Sequence, residues 1–139
     1  MNYEKLQKSL IHLQRQFENY RRSDQRKELI ELDREALAES VIQRFETCYD
    51  TLWKILKRYI VDELGLAEVP NSPKPVFRLA NENNLLPSPV EQWLIYADSR
   101  TGTAHDYSGT KATECLQIVP QFIDDAIKLY QTLTEELLQ

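Results

Sequence analysis

The longest predicted helix constrains the fold most strongly. It extends from about residue 33, or from a few residues earlier, to residue 64, and its apolar residues form two seams instead of one. The first seam contains Val41, Phe45, Cys48, Leu52, Ile55 and Tyr59, and the second contains Ile42, Phe45, Tyr49, Trp53, Leu56 and Ile60. A helix that is apolar over so wide an arc has to be covered on more than one side. The pattern therefore predicts the central helix of a helical bundle.

Capping residues mark where this and the other helices begin and end. Asp33 is predicted to be the N-cap of the long helix, and Gly65 supplies the left-handed residue that follows its end. Ser72 and Pro73 predict the start of a short third helix that runs to about residue 84. A further helix is expected to start at Ser88, with proline next to the cap and glutamate at the third helical position.

Two more helices complete the predicted bundle. Apolar residues at steps of four and three predict a first helix over residues 3 to 22. A last helix is predicted from about residue 110 to residue 138, with a kink expected at Pro120. The chain has only three glycines, which favours helix throughout. We therefore predict an all-α, up-and-down four-helix bundle with one additional short helix, forming a single domain over residues 1 to 139.

Composition limits the cellular setting and the class of ligand. The apolar runs are shorter than the about 20 residues that a membrane span requires, and charged residues throughout the first 20 positions argue against a signal peptide. We therefore expect a cytoplasmic protein with no membrane association. The two cysteines, Cys48 and Cys115, and the two histidines have no ligand-like spacing, so neither a metal site nor a cofactor is predicted. The net charge of -5 argues against broad binding of polyanions such as DNA, although a local basic cleft is compatible with it.

The segment from residue 100 to residue 107 is the candidate functional site. Arg100 follows Trp93 by seven residues, so the two project from nearly the same face of the fourth helix. An arginine on an inward face has to be paired, line a cleft or extend to water. His105 lies about 140° further around an ideal helix. The two side chains can converge only if the helix ends or distorts, or if a second chain supplies one of them.

A purely structural interpretation of these residues is also open. Arg100 could bind Glu46, which lies beside the second seam and would need a cationic partner if it were buried. His105 could then cap a carbonyl near the helix end, and Tyr107 could contribute to packing.

The spacing Arg-x4-His-x-Tyr, formed by Arg100, His105 and Tyr107, resembles the signature of HEPN-domain proteins that pair with minimal nucleotidyltransferases. The sequence of the long helix resembles the hallmark segment of one branch of this family, the nucleotidyltransferase substrate-binding proteins. The residues that carry this second likeness are Val41, Ile42, Gln43, Arg44, Phe45, Glu46, Tyr49, Trp53, Lys54, Leu56 and Lys57. The resemblance covers about residues 33 to 130.

The resemblance implies a homodimeric bundle whose partner is a cognate minimal nucleotidyltransferase. It implies the toxin half of a toxin–antitoxin pair, in which Arg100 and His105 cleave RNA without metal and AMP addition to Tyr107 silences the nuclease. Glu46 and Thr101 are expected to support Arg100; Thr101 stands where these proteins often have asparagine or another polar group. The alternative is a non-catalytic subunit that binds a nucleotide or another substrate for the transferase.

The chemistry of RNA cleavage also favours a dimer. Attack by a ribose 2'-hydroxyl needs a base, an acid and stabilisation of the phosphoryl oxygens. Histidine, with an unperturbed pKa of about 6.5, can serve in either proton-transfer role. One chain offers one suitable histidine, whereas a two-fold dimer supplies His105 twice. Additional RNA contacts could come from Arg44, Lys54 or Lys57.

Overall fold

The computed structural model describes residues 1–104 and 109–135, and within them it contains five α-helices and no β-strand. The helices are α1 (Glu4–Arg22), α2 (Glu31–Asp62), α3 (Pro73–Glu82), α4 (Val90–Gly102) and α5 (Gly109–Thr134). A 3-10 turn, Ser23–Gln25, follows α1. The predicted all-α bundle with one additional short helix, α3, is confirmed.

Helix α2 is central because the other four helices pack around it. It contacts α1 most extensively, and it also contacts α3, α4 and α5. Both predicted seams contribute fully buried side chains, including Phe45 and Leu52 from the first and Ile42 and Leu56 from the second. Leu6, Leu10 and Leu13 of α1 are buried as well. The two-seam pattern thus correctly identified a helix that is covered on more than one side.

The predicted cap of α2 is wrong by three residues. The helix begins at Glu31, with Ile30 in an extended conformation at the N-cap position. Asp33 is instead the third helical residue, and its carboxylate accepts a hydrogen bond from the Ile30 backbone N–H at 3.1 Å. An acidic side chain at that position can satisfy the N-cap amide as one half of a capping box, so a carboxylate near a helix start is compatible with either position.

The predicted cap of α4 is wrong by one residue. Pro89, not Ser88, occupies the N-cap position, because its ψ of 144° is extended and the helix begins at Val90. The Pro89 carbonyl accepts the backbone N–H of Gln92 at 3.0 Å. The Ser88 hydroxyl is buried without a hydrogen-bond partner among the residues that the structure describes. The serine therefore does not cap the helix.

The other helix ends agree with the sequence. Gly65 has a φ of +69°, which is the left-handed conformation expected after α2. Ser72 and Pro73 are the N-cap and first residue of α3. Helix α5 continues without interruption through Pro120, and the residues predicted to extend it beyond 135 lie outside the described part. No helix in the described part is long and apolar enough to cross a membrane.

Candidate functional site

Arg100 is bound by two carboxylates of α2. It lies in the last turn of α4, and its Nη1 is 2.8 Å from Oε2 of Glu46. Its Nε and Nη2 donate to the two carboxylate oxygens of Asp50, at 3.2 and 3.1 Å. Glu46 and Asp50 are four residues apart, so they lie on one face of α2. The guanidinium therefore links α4 to α2, and its contact with Asp50 is bidentate.

The two carboxylates differ in their access to solvent. Glu46 is only 7% exposed, and it also accepts a hydrogen bond from the fully buried Thr103 hydroxyl at 3.1 Å. The side chain of Asp50 is 38% exposed, and that of Arg100 is 28% exposed. Glu46 is consequently a fixed, buried counter-ion, whereas Asp50 meets the arginine where water can reach it.

A cleft opens beside Arg100, between α2, the start of α3 and the second half of α4. Its volume is about 570 Å³. It is lined by Tyr49, Asp50, Trp53, Lys54, Ser72, Pro73, Lys74, Pro75, Ala97, Arg100 and Thr101. Three of these side chains are cationic and one is a carboxylate, and two further carboxylates, those of Asp98 and Glu46, pair with Lys74 and Arg100. This size and mixture of apolar and polar groups are typical of small-molecule sites.

The two lysines of the cleft are held by different contacts. The Lys74 ammonium lies 2.6 Å from the carboxylate of Asp98, which joins α3 to α4. The Lys54 ammonium lies 5.9 Å from the centre of the Trp53 ring. The Lys54, Lys74 and Asp98 side chains are all accessible to water, where ion pairs and cation–π interactions are weak. The lysines can therefore reorient toward an anionic ligand.

Tyr49 lines the cleft, but its hydroxyl is buried and has no hydrogen-bond partner in the described ranges. Burial raises the pKa of Tyr49, and the neighbouring Asp50 carboxylate raises it further. The phenol is therefore protonated at neutral pH and is an unused donor. An unpaired buried hydroxyl costs about 1 to 3 kcal/mol of stability.

Replacing Tyr49 with phenylalanine is expected to leave the free energy of unfolding unchanged or to raise it by up to about 1 kcal/mol, because no bond of the described structure is lost. Urea unfolding measures this change. Tyr96→Phe is the matched control, since the buried Tyr96 hydroxyl donates to the buried Asp125 carboxylate. That variant should lose about 1 to 3 kcal/mol. Equal losses in the two variants would contradict the assignment of Tyr49.

The structure places some of the predicted site residues together and leaves others untested. Arg100 and Glu46 are in contact. Thr101 is exposed and lines the cleft, but its hydroxyl donates to the Ala97 carbonyl at 3.1 Å. The threonine that supports the arginine's counter-ion is Thr103. His105 and Tyr107 lie outside the described residues.

The three additional basic residues lie in different surroundings. Lys54 lines the cleft. Arg44 faces α1 instead, with its Nη1 3.4 Å from Nδ1 of His12, and Lys57 donates to the Asn71 side chain at 3.0 Å. Of the three, Lys54 is therefore the one placed to contact a ligand beside Arg100.

Metal and thiol chemistry have no site in the described part of the chain. It contains no group of three or more His, Cys, Asp or Glu side chains that could hold a metal ion. Burial raises the pKa of Cys48 to about 12 and that of Cys115 to about 11. Both thiols are therefore protonated at neutral pH and poorly suited to act as nucleophiles.

Asp50 is the residue of this site that sequence reasoning missed. Its signal was the spacing of four from Glu46, which places both carboxylates on one face of α2. Glu46 stands out because it lies beside the second seam, whereas Asp50 does not stand out in a helix with many charged residues. The distinction needs the position of α4, because Arg100 is 50 residues away from Asp50 in the sequence.

Comparison with known proteins identifies one family and one similar fold. The family model described as "Nucleotidyltransferase substrate binding protein like" matches residues 1–135. A crystal structure of a protein from Thermus thermophilus is similar, with a TM-score of 0.66 and 24% sequence identity over 87% of this chain and 98% of that one. At this identity the likeness supports the fold alone. No functionally curated protein matches the chain.

Proposed function

The chain belongs to the nucleotidyltransferase substrate binding protein-like family, and from this membership we propose that it is the partner of a minimal nucleotidyltransferase and the toxin half of a toxin–antitoxin pair. Its activity is metal-independent cleavage of RNA by Arg100 and His105, and the transferase silences it by adding AMP to Tyr107. The observation that carries the proposal is the placement of Arg100 at a cleft that two lysines also line, where it is partly exposed and held by a buried carboxylate.

Arg100 suits the role of stabilising a phosphoryl group. Its guanidinium is permanently charged, and the Nε and Nη2 edge matches two oxygens of a phosphate. The buried Glu46 fixes the other side of the group, so the arginine is oriented before any substrate arrives. A donor that is already oriented costs little reorganisation during the reaction.

The proposed cleavage transfers the phosphodiester from one oxygen to another. The ribose 2'-oxygen forms a bond to phosphorus, the bond from phosphorus to the 5'-oxygen breaks, and the products are a 2',3'-cyclic phosphate and a free 5'-hydroxyl. One His105 removes the proton from the 2'-hydroxyl, and a second delivers a proton to the leaving oxygen. Because each chain has one such histidine, the active form is a homodimer with a shared cleft.

The direct test is incubation of purified protein with RNA in EDTA. Fragments that end in a cyclic phosphate are expected, since no step of the proposed reaction uses a metal ion. Intact RNA after prolonged incubation at micromolar protein would contradict the nuclease.

Tyr107 is the proposed site of control. With the cognate transferase and ATP, its phenolic oxygen bonds to the α-phosphorus, the bond to the β-phosphate bridge breaks, and pyrophosphate leaves with the phenolic proton transferred to a base of the transferase. We expect the mass of the protein to rise by AMP units. The bulk and the negative charge would then exclude the RNA backbone.

Mass spectrometry of Tyr107→Phe tests this assignment. The variant should acquire no AMP, whereas Tyr20→Phe, a change of the same chemistry on α1, should be labelled like the wild type. Undiminished labelling of Tyr107→Phe would place the modification on another residue.

A second candidate function is favoured by the Asp50 contact. The edge of Arg100 that suits phosphate is already bound to a carboxylate, and the cleft beside it has the size of a small-molecule site. In this alternative the protein binds a nucleotide or another substrate for the transferase and has no catalytic activity. Nucleotide binding without RNA cleavage would distinguish it from the nuclease.

A further inference from the structure

Asp50 occupies the place on Arg100 that a phosphate would take. Its two carboxylate oxygens accept hydrogen bonds from Nε and Nη2 of Arg100, in the bidentate geometry that arginine also uses to bind phosphate. Asp50 and Arg100 both line the cleft, so this contact is formed at the cleft wall and not in the protein core. A ligand that enters the cleft meets Arg100 beside this carboxylate.

Burial determines which of the two carboxylates can give way. Glu46 is almost completely enclosed and is also bound by Thr103, so its release from Arg100 would leave a charge in a poorly solvated place. Asp50 is more than one-third exposed, and water can solvate it after it separates from the arginine. The energetic difference makes Glu46 the permanent partner and Asp50 the exchangeable one.

The remaining cleft residues indicate a nucleotide-sized ligand with a phosphate group. Lys54 and Lys74 add positive charge close to Arg100, and the N-terminal end of α3 contributes the positive end of a helix dipole. Trp53, Pro73 and Pro75 provide an apolar wall against which a planar base can lie. The cleft volume of about 570 Å³ lies within the range of sites for such ligands.

We propose that the cleft binds a nucleoside phosphate. In the empty cleft the Asp50 carboxylate occupies the position of the ligand's phosphate on Arg100, and Asp50 separates from Arg100 when the ligand binds. This inference rests on the second candidate function, since it names the class of ligand that this site binds and the carboxylate that competes with the ligand. The exchange replaces one anion on the arginine with another. Arg100 is therefore paired in both the empty and the filled state, and ligand affinity is set by the competition with Asp50.

Calorimetric titration of the 139-residue chain with AMP tests the exchange. Asp50→Asn keeps the size of the side chain and removes its charge. We therefore expect AMP to bind to this variant about threefold to tenfold more tightly than to the wild type, which is the effect of losing a bidentate, partly exposed ion pair that competes with the ligand. Asp62→Asn is the matched control, because Asp62 is the exposed last residue of α2 and does not line the cleft. The variant removes an equal charge outside the cleft lining, and it should change the affinity by less than about twofold.

Each other outcome identifies what has failed. An equal gain in Asp62→Asn would show that only the total charge matters and would overturn the exchange. Unchanged or weaker binding to Asp50→Asn would overturn it too, and would make Asp50 a support for Arg100, although the binding function itself would stand. Absence of AMP binding to every variant, with thermal melting curves showing folded protein, would overturn the inference together with the second candidate function.

Discussion

Replacing Arg100 with alanine is expected to lower the free energy of unfolding by about 3 kcal/mol. The substitution removes the guanidinium that pairs with Glu46, which is only 7% exposed. Breaking a buried ion pair by deleting one member costs about 3 to 5 kcal/mol, because a buried charge loses its oppositely charged partner. We expect the lower end of that range because Arg100 is partly exposed and because Thr103 still donates to Glu46.

Urea unfolding of a double-mutant cycle measures this effect. Glu46→Gln removes the charge that needs compensation, so the double variant Arg100→Ala with Glu46→Gln should be less destabilised than the sum of the two single changes. Asp50→Ala serves as the contrast, since its partly exposed pair should be worth about 1 kcal/mol or less. Additive effects of Arg100→Ala and Glu46→Gln would contradict the role of Arg100 as the counter-ion.

Replacing His105 with alanine is expected to slow RNA cleavage in EDTA by a factor of about 100 to 10,000. The proposed reaction uses this imidazole both to accept the 2'-hydroxyl proton and, from the second protomer, to donate a proton to the leaving oxygen. A two-fold dimer loses both groups in a single substitution. The initial rate of cleavage of a short labelled RNA measures the effect.

His12→Ala is the matched control for that experiment. His12 is the other histidine of the chain and lies exposed on α1, next to Arg44 and away from the cleft. The rate of this variant should equal that of the wild type. Light scattering should show a dimer at micromolar concentration for all three proteins. Equal cleavage by the His105→Ala protein would assign the activity to another residue or to a contaminant.

Arg100 has both a structural role and a proposed catalytic role, so the nuclease activity of an Arg100 variant needs a separate control. A loss of nuclease activity in an Arg100 variant has two possible causes, because the residue is both the proposed phosphate ligand and a structural partner of Glu46. Arg100→Lys separates them better than alanine does. Lysine keeps the charge that Glu46 requires but lacks the planar fork that binds phosphate through two parallel bonds.

The helices could be predicted because their signals are local. The two apolar seams of α2, the left-handed Gly65 and the Ser72–Pro73 start of α3 all depend on residues within a few turns of one another. Cap positions were harder to predict because one side chain can serve in two ways. The Asp33 carboxylate accepts the N-cap amide from the third helical position, and the Pro89 carbonyl accepts a hydrogen bond from the Gln92 amide in the first turn of α4.

The inward direction of Arg100 could be predicted for the same reason. Its spacing of seven from Trp93 places it on the buried face of α4, and Trp93 is fully buried. Tyr96 was not assigned to that face, although it is also fully buried. Its neighbour in the core is Asp125 of α5, and a buried tyrosine needs such a partner for its hydroxyl.

The sequence by itself therefore determined the helices, the central place of α2 and the face from which Arg100 projects, since helical periodicity and capping act over short distances along the chain. Only the tertiary structure decided how the arginine is used. Glu46 and Asp50 reach it from 54 and 50 residues away, and their unequal burial distinguishes a fixed counter-ion from an exchangeable one. Those properties arise from the way α4 packs against α2 and from the cleft that α3 closes beside them, and no local pattern of residues specifies either.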